Sequence, residues 1–339
     1  MSKTVLVVVS MVSAMVLACI VAVLTATPGA SQTQTVTLVG AGDIAECSPE
    51  NNAEETAALL AEITGNNTTG TVLALGDNAY PDGTRTQYAN CYDNYRLSDG
   101  SIFDTRTSWW GQYKNRTMPV VGNHEYHISK VAQPYFDYFS AINGFKKPRA
   151  PVPNTTRNPG LTPGKGYYSY DRGSWHIVAL NSNCNKVGGC EKTSTQGKWL
   201  RNNLANTANK RCTLAYFHHP LYSTGNNIPN PNVKPLWQIL YNNHAEVIVN
   251  GHAHRYERFA PITPGGTTDL QHGIRQFVAG TGGSLGGSEI YYDQAPGVEK
   301  VETGTSGVLR LDLSAGSYSW MYVHIEGQSF TDSGTGSCH

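Results

Sequence analysis

Short apolar runs that end in metal-ligand residue types recur along this chain. Thr71-Val72-Leu73-Ala74-Leu75 reads as a buried strand and runs into Gly76-Asp77-Asn78-Ala79-Tyr80. Four other runs behave alike. Residues 35–39 lead into Gly40-Ala41-Gly42-Asp43, and residues 118–121 into Gly122-Asn123-His124-Glu125. Residues 213–217 lead into His218-His219-Pro220, and residues 247–250 into Gly251-His252-Ala253-His254. Between and after these runs lie helix-forming stretches at 54–63, 195–205 and 234–242, the last with Pro235 in its first turn. Strand–helix alternation argues an α/β fold. Two hairpins add antiparallel pairs. One joins Tyr167-Tyr168-Ser169-Tyr170 to residues 175–180 through Asp171-Arg172-Gly173, and the other joins 308–313 to 318–325 through Ala315-Gly316. Two mixed sheets packed face to face, with helices outside, fit these elements. Residues 144–166, rich in Pro and Gly, read as a surface loop. Residues 328–339, rich in Ser, Gly and Thr, read as a mobile tail unless Cys338 ties them down.

In open α/β sheets, ligands gather at the carboxyl ends of the strands. A single Gly-Asp after a strand is an ordinary turn. Five strand ends that each deliver Asp, Asn or His point instead to a metal site. The five blocks, in this order, resemble the metallophosphoesterases. Gly76-Asp77 with Tyr80 three residues on, and Gly251-His252-Ala253-His254-Arg255-Tyr256-Glu257-Arg258, resemble the purple acid phosphatase branch. The resemblance spans about residues 36–285. It implies a four-layer αββα sandwich of two mixed β-sheets flanked by helices.

The resemblance also implies a binuclear site. Asp43, Asp77, Tyr80 and His254 would bind one metal, and Asp77, Asn123, His218 and His252 the other, with Asp77 as the bridge. His218 is the ligand of the adjacent pair because it takes the His of the family's His-x-Pro spacing. In an extended loop His252 and His254 would point the same way, about 6–7 Å apart, so that each reaches its own metal. A Tyr80 phenolate is a hard anionic donor that suits Fe(III), paired with Fe(II), Zn(II) or Mn(II). Two metals hold the attacking and leaving oxygens of a phosphate ester together. His124, after the ligand Asn123, is expected near the substrate oxygens as a catalytic group, oriented by Glu125. His219 is a weaker catalytic candidate. The plant enzymes carry further substrate histidines just after the His-x-Pro block; residues 221–231 contain none, which leaves the general acid open. The first block reads Gly42-Asp43-Ile44-Ala45 where many relatives have Gly-Asp-x-Gly. His127, His244, His272, His324 and His339 match no block and read as surface or structural residues, as does His176 inside a strand.

Composition narrows the function. The 339 residues carry no net charge and 15% charged side chains, so there is no basic footprint for nucleic acid or anionic lipid. Lys3, an apolar stretch at 5–24 broken only by Ser10 and Ser13, and small residues at 25–30 form an export leader, residues 1–30. An uncleaved membrane anchor is the competing reading. The catalytic domain is then 31–327. Six cysteines follow the leader, an even count that reads as disulfides in an exported chain. Cys184 and Cys190 flank a short loop. Cys47 and Cys91 each follow an expected metal loop and could staple the two. Cys212 with Cys338 would remain, unless Cys212 is a free buried thiol. The reading is an exported, secreted or periplasmic phosphatase that cleaves small phosphate monoesters by attack of a metal-bound hydroxide. The alternatives are a phosphodiesterase on nucleotides or lipid head groups with the same site, and a metal-binding surface protein without turnover. Oligomeric state is left open.

Overall fold

Strands alternate inward and outward side chains, and here both faces are apolar, so each sheet needs cover on both sides. The computed structural model describes residues 35–48, 50–65, 70–93, 108–140, 164–205, 212–225, 228–284 and 295–339. The leader and the part of the Pro-rich segment up to residue 163 lie outside the described residues. All the described residues belong to one compact unit, Thr33–His339.

The strands are β1 (Val36–Ala41), β2 (Thr71–Ala74), β3 (Thr117–Pro119), β4 (Tyr168–Arg172), β5 (Trp175–Ala179), β6 (Cys212–Tyr216), β7 (Val247–Asn250), β8 (Arg255–Ile262), β9 (Ile274–Ala279), β10 (Val298–Thr303), β11 (Gly307–Ser314), β12 (Ser317–His324) and β13 (Asp332–Ser337). Helices are α1 (Ala53–Thr64), α2, a single turn (Arg85–Gln87), α3 (Gln133–Ser140), α4 (Thr195–Ala205) and α5 (Lys234–Asn242). One sheet has the order β13-β12-β11-β1-β2-β3, the other β10-β8-β9-β7-β6-β5-β4. Both are mixed. β1, β2 and β3 run parallel, as do β5, β6, β7 and β9, while β11 and β8 are antiparallel to their neighbours.

The sandwich follows from period-two burial. Leu38, Leu73, Leu214, Tyr216, Val247 and Phe277 meet between the sheets. Val39, Ala41, Val72 and Ala74 face the other way, under α1 and α3. Ala215, Ile248 and Val278 pack beneath α4 and α5. The layers are therefore helix, sheet, sheet, helix, as expected. Replacing fully buried Leu214 by Ala would cost about 2–5 kcal/mol.

Both expected hairpins form, and the helices at 195–205 and 234–242 have the expected bounds. His176 is structural: its ring bridges Asp171 Oδ1 at 2.9 Å and Asn203 Oδ1 at 2.7 Å. The cysteines pair as Cys47–Cys91, Cys184–Cys190 and Cys212–Cys338. Of the two readings of the tail, the one in which Cys338 ties it down applies. Residues 332–337 form an edge strand on β12, with Asp332 bonded to Tyr256 and Arg258 and Cys338 tied to Cys212.

Candidate metal centre

The parallel strands of both sheets end at one edge of the sandwich, and their following turns carry the candidate ligands. Asp43 follows β1 and Asp77 follows β2, both buried. Asn123 opens the loop after β3, His218 follows β6, and His252 and His254 follow β7. Asp43, Asp77 and His252 sit in the left-handed backbone region, at φ 59°, 50° and 73°. Such strain in non-glycine residues gathers at functional sites. Gly122 makes room for the central carboxylate, because a Cβ there would lie 2.0 Å from Asp77 Oδ1.

Two groups of donor atoms share one oxygen. On one side Tyr80 donates its hydroxyl to Asp43 Oδ1 at 2.9 Å, lies 3.3 Å from Asp77 Oδ2, and meets His254 Nε2 at 3.1 Å. On the other, His218 Nε2 lies 3.0 Å from Asn123 Oδ1 and 3.1 Å from Asp77 Oδ2. Asp77 Oδ2 thus touches both groups. The His252 ring stands 5.0 Å from that of His218 and 4.5 Å from that of His219. His252 and His254 do not lie in an extended loop, as expected, but in tight turns, with Ala253 and Arg255 each donating to the carbonyl two residues back. The turns send the His252 ring to the His218 side and His254 to the Tyr80 side.

The donor set fits a cation. His218 Nδ1 donates to the Leu75 carbonyl at 2.9 Å, so Nε2 is the nitrogen turned to Asn123 Oδ1 and Asp77 Oδ2, and when no ion is bound a proton on Nε2 serves them. That proton sits among a buried carboxylate and an amide oxygen, where a metal ion could take its place. Burial alone would lower the His218 pKa, but Asp77 beside it carries it up to about 9. Burial opposes ionisation of Asp77 too, yet His218 and His124 hold its carboxyl well below the usual range. Burial, then the Asp43 and Asp77 charges, push the Tyr80 phenol well up, so only a bound cation would turn it into a phenolate ligand. Burial, reinforced by His218, lowers His252 to about 4, leaving it neutral as a metal ligand must be.

The two catalytic candidates flank this centre. His124 packs against the Tyr80 ring at 4.5 Å between centroids, and its Nε2 lies 3.8 Å from Asp77 Oδ2. Its Nδ1 donates to the Pro81 carbonyl at 2.6 Å, so Pro81, not Glu125, orients the ring. Glu125 instead clamps the backbone, accepting from Asp77 N, Asn78 N, Gly122 N and the Tyr88 hydroxyl. His219 is nine-tenths buried, with Ser182 Oγ 2.8 Å from its Nδ1 and 3.0 Å from its backbone N.

Asn181, Ser182 and Asn183 were missed by sequence reasoning. Asn183 Nδ2 donates to the Val121 and Gly122 carbonyls and so fixes the Asn123 loop. The available signal was that β5, like the five recognised strands, runs directly into polar residues. A polar cavity of about 340 Å³ opens beside the centre, with Asn123, His219, His127, Lys186 and Asn232 among its walls.

Comparisons with known proteins agree with this geometry. Residues 36–256 match the model of the family described as calcineurin-like phosphoesterase. Purple acid phosphatase 15 of Arabidopsis thaliana is 26% identical over 203 residues, 55% of this chain and 35% of the relative. Probable inactive purple acid phosphatase 9 of the same plant is 27% identical over 192 residues, 46% of this chain and 28% of the relative. The chain thus spans about a third of the length of these curated relatives. Among solved structures, purple acid phosphatase PPD1 of yellow lupin superposes with a TM-score of 0.63 at 16% identity, covering 90% of this chain and 54% of the lupin chain. GAP50, the anchor in the inner membrane complex of Plasmodium, gives 0.58 at 12% identity, covering 88% of each chain. At these identities the likeness shows the fold alone.

Proposed function

The chain belongs to the calcineurin-like phosphoesterase family, and from that premise we propose that it is an exported binuclear phosphatase acting on small phosphate monoesters. The observation that carries the reading is the position of Asp77 Oδ2, within 3.3 Å of both the Tyr80 hydroxyl and His218 Nε2. Asp43, Tyr80 and His254 would complete one metal site, Asn123, His218 and His252 the other. The phenol favours Fe(III) in the first, with Fe(II), Zn(II) or Mn(II) in the second. When bound, two such ions supply charge neutralisation and an activated water.

The protein's own groups do the rest. The His124 Nδ1–H is held by Pro81, so Nε2 faces the centre, where it carries a proton to or from a substrate oxygen. The polar cavity, with Lys186 and His127 on its walls, takes the leaving group and suits an anionic, hydrophilic ester. The inactive-named relative and the Plasmodium anchor keep open a role without turnover. Occupancy of all seven ligand positions by competent donors favours the enzyme. Export is supported by the apolar leader and three disulfides. Among the described residues no helix is long and apolar enough to cross a membrane.

The test is phosphate release from a panel of mono- and diesters, with metal analysis of the same sample. Two metals per chain and a preference for monoesters are expected. Preference for diesters would move the reading to a phosphodiesterase, and two bound metals without turnover would move it to a binding protein.

A further inference from the structure

We propose that His244, His272 and His339 form a separate, mononuclear site for a divalent transition-metal ion of the zinc type. One ring nitrogen from each lies within 4.8 Å of the others, and all three residues are exposed. Ring centroids are 6.3 Å apart for His244 and His272, 6.0 Å for His244 and His339, and 5.7 Å for His272 and His339. Tetrahedral zinc needs ligand nitrogens about 3.3 Å apart, a contraction that exposed imidazoles reach by small χ rotations. Three neutral imidazoles without a thiolate or carboxylate suit Zn²⁺, Cu²⁺ or Ni²⁺ and not Ca²⁺ or Mg²⁺. The fourth position faces solvent.

The trio is assembled by long-range structure. His244 ends the turn after α5, with its N–H on the Tyr241 carbonyl and a left-handed φ of 55°. His272 lies in the turn before β9, where Asp269 accepts its N–H at 3.0 Å. The Tyr241 hydroxyl donates to the other oxygen of Asp269 at 2.9 Å, which brings that turn against α5. His339 is delivered by the Cys212–Cys338 disulfide and by the bond from Cys338 N to the Gly316 carbonyl. Among the described residues no hydrogen bond occupies the three rings, whereas the structural His176 has both nitrogens bonded. The site lies at the amino ends of β6, β7 and β9, whereas the candidate metal centre lies at carboxyl ends. It requires none of the residues of that centre. A bound ion would tie the end of the chain's last strand to the two turns.

The experiment uses the full chain with the carboxyl-end centre already loaded with metal, so that further uptake reports the new site. Zn²⁺ is titrated by calorimetry and total metal per chain is measured. One further equivalent is expected, bound at least about tenfold more weakly in His272→Ala and in His339→Ala. Hydrolytic activity should be the same in all three proteins. Two variants guard against a fold defect in either, and circular dichroism checks both. Failure to take up a further equivalent, or uptake unchanged in both variants, overturns the proposal. Because the readout is metal beyond the loaded centre, its failure leaves the phosphatase reading standing.

Discussion

At the carboxyl ends of β6 and β7, His218 and His252 are set beside buried carboxylates, and a glycine is spared where a carboxylate must pass. At the amino ends of the same sheet, His244 and His272 stand exposed on turns, and a disulfide brings His339 to them. The first cluster is dense, charged and strained; its donors are held before any ion arrives. The second is open, and its geometry depends on contacts between segments far apart in sequence. Preorganisation in the first suits chemistry, because donors need not reorganise during the reaction. The second suits only ion binding. Substitutions that separate the two ends test this difference.

The largest effect should come from Asp77→Ala. It removes the oxygen shared by both donor groups, so both metals and activity should go, with turnover below about 10⁻³ of wild type. Metal analysis beside a phosphate-release assay checks it; two retained metals with near-normal turnover would remove Asp77 from the bridge. Zinc uptake at the histidine trio should be untouched. Gly122→Ala probes the same carboxylate from its other side, since the new Cβ would sit on Asp77 Oδ1 and against the Asp77 backbone N. It should lower metal content and activity and cost at least about 1–3 kcal/mol in stability, because the backbone at Asp77 must shift.

The contrast between the two ends also explains what could be read in advance. The carboxyl-end cluster was legible because every candidate ligand follows one of five strands by a few residues, and each block is local. The trio had no such signal: residues 244, 272 and 339 share no spacing, and contacts such as the Cys212–Cys338 link and the Tyr241–Asp269 bond bring them together. The same holds for the strands. β8 was not expected as a strand, because Arg255, Glu257 and Arg258 hide its pattern; Glu257 is buried, yet its Oε1 is satisfied by Ser223 and Thr224. β13, Asp-Ser-Gly-Thr-Gly-Ser, has no apolar residue at all. It forms because it pairs along β12, where Gly334 lets the Trp320 ring lie across the strand.

A smaller effect is expected at His124, which meets the centre through its backbone N–H on Asp77 Oδ1 and a ring whose Nε2 the Pro81 bond turns toward Asp77. His124→Ala should keep both metals and lower kcat by about 10²–10⁴-fold. Loss of metal in this variant would place His124 among the ligands and blur the line between donors and catalytic groups.

Tyr80→Phe removes one donor of four from its side and keeps the ring. Activity should fall by about tenfold, a loss close to one bond to a charged group. After reconstitution with iron, the wild-type protein should be coloured by charge transfer from the phenolate, and the variant should lose the visible band. A band that survives in the variant would take Tyr80 out of the metal's coordination and leave a general metallophosphoesterase site.

The smallest effect on activity should come from Asp332→Asn, at the strand that runs between the two ends. Asp332 begins β13 at the end of the sheet where β1 finishes, and the strand finishes at Cys338 beside the trio, roughly 20 Å away. Its carboxylate accepts from the Tyr256 hydroxyl at 2.8 Å, Arg258 Nε at 2.6 Å and Trp320 Nε1 at 3.2 Å, so it ties the last strand to β8 of the other sheet. Burial alone would raise its pKa, but the bonds to Arg258 and Tyr256 hold it below the ordinary value. A depressed carboxyl contributes stability above its unfolded pKa and loses it as pH falls through the folded one. Asp332→Asn should therefore cost about 1.5–3 kcal/mol at pH 7 and progressively less below about pH 4, where the wild-type carboxyl becomes neutral as well. Denaturation at pH 7 and pH 3 measures the difference. Metal content and kcat at pH 7 should stay near wild type, because no donor of the centre is touched. If kcat fell a hundredfold while the fold held, β13 would be carrying strain from its anchored end into the centre, and the two ends of the sandwich would have to be treated as one coupled site.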